Sequence, residues 1–129
     1  MVDEYRPAIY HFGADGVLID RFVPEGTSLL GDVAQPEGTF GEETLPGAYN
    51  THVSNRGFEA VAADLANDKL YAFIQTPLAN PDRATSSDSQ VIRILEIDMN
   101  TGAPTGEYVY LLEDAGIRPG GVVDKIGDA

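Results

Sequence analysis

Asn55-Arg56-Gly57-Phe58-Glu59-Ala60-Val61-Ala62-Ala63 opens the stretch that decides the fold. It continues to Glu113 through Leu70-Tyr71-Ala72-Phe73-Ile74-Gln75, Val91-Ile92-Arg93-Ile94-Leu95-Glu96-Ile97-Asp98 and Tyr108-Val109-Tyr110-Leu111-Leu112. In the third run Val91, Leu95 and Ile97 share one face with Arg93, and β-branched residues dominate, which is the pattern of a strand and not of a helix. Leu70 to Ile74 is apolar on both faces and suits a central strand covered above and below. Tyr108 to Leu112 is aromatic-rich and suits a peripheral strand whose phenols reach water. Four short strands in sequence follow from these runs.

The connections support that order. Between the first two runs, Asn67 and Asp68 accept left-handed or Asx-type turn conformations, so a tight hairpin is expected. Between the last two, Gly102 and Gly106 relieve positive φ and Pro104 withholds an amide, which predicts a second hairpin. The middle connection, Thr76 to Gln90, is long, carries Pro77, Pro81 and a serine-rich run, and is expected to be a mobile surface loop. Upstream, Ala8-Ile9-Tyr10-His11-Phe12 and Val17-Leu18-Ile19-Asp20-Arg21-Phe22-Val23 flank Gly13-Ala14-Asp15-Gly16, the pattern of another β-hairpin. Glu25 to Thr51 follows as a long irregular connection with many Gly and Pro residues, in which only a brief helix around Thr27 to Ala34 is signalled.

Composition bounds the function. The chain has 129 residues with 43% apolar, enough for one modest core. Its 21 Asp and Glu against 8 Lys and Arg give a formal charge of -13. Such a field repels nucleic acid and fits cation binding or plain solubility, the latter being the commoner meaning of acidic surfaces. No cysteine is present, which excludes disulfides and thiolate zinc sites. No apolar run approaches the roughly 20 residues that a helical membrane span needs. Met1-Val2-Asp3-Glu4 is the wrong chemistry for a signal peptide, so a secreted or periplasmic parent would carry its signal outside this stretch. No Gly-x-Ser-x-Gly elbow, Walker loop, His-Glu-x-x-His or dinucleotide fingerprint occurs, and Ser86, Ser87 and Ser89 have no nearby histidine to activate them. His11 and His52 stand alone and in no metal-binding spacing.

Asn55 to Ala62, Lys69 to Ala72, Gln75-Thr76-Pro77-Leu78, Ile92 to Asp98 and Glu107 to Tyr110, in that order, resemble the phytase-like family labelled "esterase-like activity of phytase". About half of the chain matches closely, with Ile9 to Pro24 and Val123 to Ala129 fitting more loosely. Two departures stand out: Asn67-Asp68-Lys69 replaces an Asp-Gly-Lys turn, and Ala60 stands where the family commonly has Gly, narrowing the space beside Glu59. The family domain is longer than this chain and looks like a β-propeller. The resemblance therefore implies an all-β fold: an antiparallel four-stranded meander plus an additional hairpin, a fragment of a propeller. Residues 8–24 would be a hairpin of the preceding blade, 25–54 a long connection, 55–113 a complete blade and 114–129 a tail entering the next. A single blade leaves edges uncovered, which favours self-association.

Successive connections of a meander emerge at opposite ends, so Glu25 to Asn55 and Thr76 to Gln90 should meet at one end, beside Glu59. The resemblance and this placement imply a metal role for Glu59 and Asn55, with calcium as the cofactor, because hard cations take oxygen ligands. They imply substrate contacts for Arg93 and Gln75, the catalytic residues themselves being undetermined. Each has a plainer alternative. Glu59 would pair with Arg56 or Arg93, Asn55 would serve as a backbone cap, Arg93 would be braced by a structural carboxylate, and Gln75 would cap the loop. Two functions remain open. One is a metal-assisted phosphoesterase or esterase acting on a small-molecule ester or phosphate ester and inactive as this piece alone; the other is a non-catalytic binding or scaffold propeller.

Overall fold

The computed structural model describes residues 1–113 and 125–127. The fold is all-β and consists of two four-stranded sheets rich in antiparallel pairing. The second sheet is the meander: β5 (Phe58–Asp64), β6 (Lys69–Ile74), β7 (Val91–Asp98) and β8 (Pro104–Leu111), each antiparallel to the next. The first sheet runs β1 (Val2–Asp3), β2 (Ala8–Phe12), β3 (Leu18–Pro24) and β4 (Glu42–Leu45), the last of these parallel to β3. The tail 114–129 expected to enter another blade lies largely outside the described residues. No helix among the described residues is long and apolar enough to cross a membrane.

Side chains write the two tight turns of the meander. Asp64 accepts hydrogen bonds from Ala66 N–H at 3.1 Å and Asn67 Nδ2 at 2.7 Å, and Asp68 takes φ 52°. That is the Asx-type hairpin the sequence calls for. In the other turn Asp98 Oδ1 accepts from the N–H groups of Asn100 and Thr101, both at 3.0 Å. Gly102 follows with φ 71° and its bare α-carbon lies directly under the Phe22 ring of β3. The hairpin end of the second sheet is thereby seated on the first.

Two expectations need correction in the long connections. Glu25 to Thr51 is not irregular throughout: it holds β4 and two 3-10 turns, Thr27–Leu29 and Gly47–Thr51. The first of these is all that forms of the helix expected from Thr27 to Ala34. The segment is organised by Glu43, whose carboxylate accepts from Gly26 N–H and Ser28 N–H at 2.9 Å each. The Ser28 side chain first, and then those backbone bonds, hold its pKa below the ordinary carboxylate range. Likewise Thr76 to Gln90 is not an unstructured loop, because Arg83–Asp88 forms the helix α1. Asp82 caps it, accepting from Thr85 N–H and Thr85 Oγ1 at 2.9 Å, and Ser86 is buried with its hydroxyl on Pro77 O at 2.7 Å. Serine enrichment signals mobility only where the hydroxyls lack backbone partners, and here they have them.

One apolar cluster joins the sheets. Ile9, Phe22 and Leu45 from the first pack in it with Phe58, Ala72, Ile74, Leu95 and Ile97 from the second, and Tyr49 of the Gly47–Thr51 turn wedges against Phe58 with ring centroids 5.1 Å apart. Each fully buried large side chain here contributes about 1.5–3 kcal/mol. Covering of β6 on both faces is only half realised. Ala72 and Ile74 are buried, but Tyr71 and Phe73 on the opposite face remain half-buried.

Candidate functional site

Glu59 interrupts the β5–β6 ladder. Phe58 lies opposite Ile74 and Ala60 opposite Phe73, which leaves Glu59 as the extra residue of a β-bulge. Bulges re-aim a side chain at the rim of a sheet, and they recur next to active sites. Here the bulge turns Glu59 towards the end where the long connections gather. Those connections do meet: Ala79 N–H donates to Thr51 O at 2.8 Å.

The residues just ahead of the bulge explain why this end is crowded. Asn55 takes φ 59°, the left-handed turn residue before β5. Gly57 donates its N–H to Glu4 O, and a Cβ on Gly57 would stand 2.7 Å from Asp3 O and 2.8 Å from both Glu4 O and Arg6 C. Only a glycine lets the β1–β2 turn approach so closely. Its approach brings Glu4, from a different sheet, to the same spot as Glu59. Phe58 then anchors the strand in the core and leaves the carboxylate at its rim.

Gln75 ties the two carboxylates together. Its Nε2 donates to Glu59 Oε2 at 2.7 Å and to Glu4 Oε1 at 3.1 Å. Its main chain is also fixed, the N–H donating to Gly57 O and the carbonyl accepting from Ile126 N–H, both at 2.9 Å. Gln75 is only 3% exposed, and its buried Oε1 has no hydrogen-bond partner among the described residues. A buried amide oxygen with empty lone pairs costs about 1–3 kcal/mol unless something donates to it or coordinates it. Carboxylate oxygens and an amide oxygen are the ligands a hard cation takes, so the donor set fits calcium in kind. It is short in number: among the described residues no three His, Cys, Asp or Glu side chains gather as a cage.

The structure thus joins Glu59 with Gln75, which the sequence singles out, and adds Glu4, which it does not. Glu4 is 71 positions from Gln75 and belongs to no motif; only the need for glycine at position 57 hinted that another chain segment must lie there. Arg93 is braced by a structural carboxylate, as one reading of the sequence has it, but the partner is Glu107 and not Glu59. It reaches Glu107 at 3.3 Å, and that pair stands by the buried phenol of Tyr49, whose pKa is raised by burial and then by the Glu107 charge. Glu59 in turn pairs with neither Arg56 nor Arg93 among the described residues, because the Gln75 amide occupies it. Asn55 is exposed at its turn, a conformation that serves the backbone directly.

A second carboxylate attracts notice and has a structural explanation. Glu96 accepts from Thr105 Oγ1 and Tyr108 Oη at 2.7 Å each, with Lys69 Nζ at 3.3 Å, and these bonds lower its pKa to about 2. All its strong partners come from neighbouring strands, so it locks the β6–β7–β8 register at the hairpin end, away from the Glu59 site.

Comparison with protein families matches residues 1–128 to the family model described as Phytase-like: Esterase-like activity of phytase. Comparison with curated proteins and with solved structures finds no match. With nearly its whole length covered, the chain belongs to the phytase-like family.

Proposed function

We propose, from membership of that family, that this chain supplies one wall of an ester-hydrolysing site at the loop-rich end of the second sheet. The observation that carries the proposal is the convergence of Glu59 and Glu4 on the buried Gln75 amide. Residues 55–113 act as one blade of a β-propeller and 8–24 belong to the blade before it, so further walls come from other blades and this chain alone does not turn over substrate. The substrate class is a small ester or phosphate ester.

In this scheme Glu59, projecting from the bulge, orients the attacking water and accepts its proton, while Glu4 fixes the second side of the same water. Gln75 keeps the two carboxylates from splaying under mutual repulsion. Calcium, held by oxygens of Glu59, Glu4 and Gln75, would supply Lewis-acid polarisation of the ester oxygen. Arg93 remains a brace on Glu107 and takes no part in binding. One observation favours a scaffold instead: a glutamine that satisfies two carboxylates also serves as a clamp between sheets.

Hydrolysis of 4-nitrophenyl phosphate and 4-nitrophenyl acetate by the full-length parent, with and without calcium, separates the two. Glu59→Gln keeps the amide contact and the shape but removes the base, so kcat should fall by about 10²–10⁴ while the fold persists. Unchanged turnover in that variant would take Glu59 out of the chemistry and leave the clamp.

A further inference from the structure

Three arginines are out of place in so acidic a chain. Against 21 carboxylates, Arg6, Arg21 and Arg56 form no ion pair among the described residues. Arg21 Nε and Arg56 Nη1 are buried without a hydrogen-bond partner among the described residues, and the Arg6 guanidinium lies over the Phe40 ring at 4.9 Å. Arg6 is exposed, so its guanidinium donors face water and stay open to an incoming anion. The three arginines stand together through the chain: Arg6 follows the Glu4 turn, Arg56 precedes the Gly57 that packs on that turn, and Arg21 Nη2 donates to Thr39 O beside Phe40.

A cavity of about 410 Å³ opens beside Arg6, the one of the three that lines it. Its walls are mostly apolar, with Pro7, Val23, Pro24, Leu30 and Phe40, and its polar edge is made by Arg6, Asn50 and His52. His52 Nδ1 lies 3.1 Å from Tyr49 O, a carbonyl that can only accept, so Nδ1 carries the proton, Nε2 of the neutral ring is an acceptor, and the cationic donor at this edge is Arg6. A second cavity, at the hairpin end, differs in sign: Asp20, Glu42 and Asp98 line it, and its histidine, His11, is engaged by Asp20 at 3.1 Å. Of these two cavities, the one beside Arg6 has the sign that suits an anion.

We propose that the Arg6 cavity binds a small organic anion with a single aromatic ring or a branched apolar body, its anionic group on Arg6 and its body against Phe40, Pro7 and Pro24. The volume suits a one-ring ligand, and the apolar walls disfavour a polyanion that has no apolar face. Carboxylate and phosphate monoester share the required chemistry. Binding here goes beyond ester hydrolysis and does not depend on it, since it is read without turnover.

Calorimetric titration of the full chain with phenyl phosphate, benzoate, inorganic phosphate and inositol hexakisphosphate tests it. At least one aromatic anion should bind about tenfold or more tighter than inorganic phosphate, and whichever of the two wins identifies the anionic group. Arg6→Gln should weaken that binding about tenfold or more. Arg6→Lys, which keeps the charge and loses the planar fork, should weaken it less while melting as the parent does. Absence of binding by both aromatic anions, binding indifferent to Arg6→Gln, or tighter binding of the hexakisphosphate than of phenyl phosphate would each overturn the proposal. Loss of hydrolysis in Glu59→Gln with aromatic-anion binding retained would leave it standing.

Discussion

Single residues set the limits of this site, and two of them act through what they lack. Gly57 lacks a Cβ, and that absence is what admits the β1–β2 turn with Glu4. Gly57→Ala should cost about 1–3 kcal/mol by overpacking against backbone that has no soft side chain to yield, and a chemical-denaturation midpoint would show it. Gln75 lacks a partner for Oε1 among the described residues, and so marks the proposed site better than a charged residue does. Glu96 offers the contrasting case of a carboxylate whose bonds are complete. Its pKa falls from about 4.5 when unfolded to about 2 when folded, so its stabilisation is whole above pH 4.5 and is lost as pH falls towards 2. Melting temperatures should therefore drop between pH 4.5 and 2 more steeply in the parent than in Glu96→Gln. Parallel curves would show that the Thr105 and Tyr108 bonds add nothing to the charged form.

Elements show what a linear pattern carries. The four runs of the meander were legible from residue 58 to residue 112 because period-two apolar spacing and Asx turns are local facts, and the observed strands fall within a few residues of them. The hairpin of β2 and β3 was legible for the same reason. Strand β4 was not, since a four-residue segment, Glu42–Leu45, pairs parallel with β3 and owes its shape to a partner far upstream. Nor was the Glu59 bulge, which exists only in the register between β5 and β6. Helix α1 was hidden because proline and serine suggested a mobile surface loop, whereas Asp82 supplies the cap that the first turn needs. Asp82→Ala should melt α1 locally, seen as faster backbone hydrogen exchange across 83–88 with the sheet amides unchanged; uniform protection in both proteins would show that the buried Ser86 alone holds the helix.

At the scale of the molecule, two sheets share one core while an outer strand is left uncovered. Tyr108, Val109, Tyr110 and Leu111 of β8 are all exposed, and β8 pairs only with β7 among the described strands. An apolar strand edge of that kind invites another strand. The chain should self-associate as concentration rises, and Val109→Lys should return it to monomer in sedimentation velocity, because a lysine on the edge blocks strand addition. A parent that sediments as a monomer at millimolar concentration would contradict this. The proposed function requires Glu4 and Glu59 to form one cation-binding site through Gln75, and the side-chain amide resonance of Gln75 in a ¹⁵N–¹H spectrum reports on it directly. During a calcium titration of the full chain that resonance should shift saturably, and the shift should vanish in both Glu59→Gln and Glu4→Gln. An amide that stays still through millimolar calcium, or one that shifts equally in the two variants, would show that the two carboxylates do not act as a site.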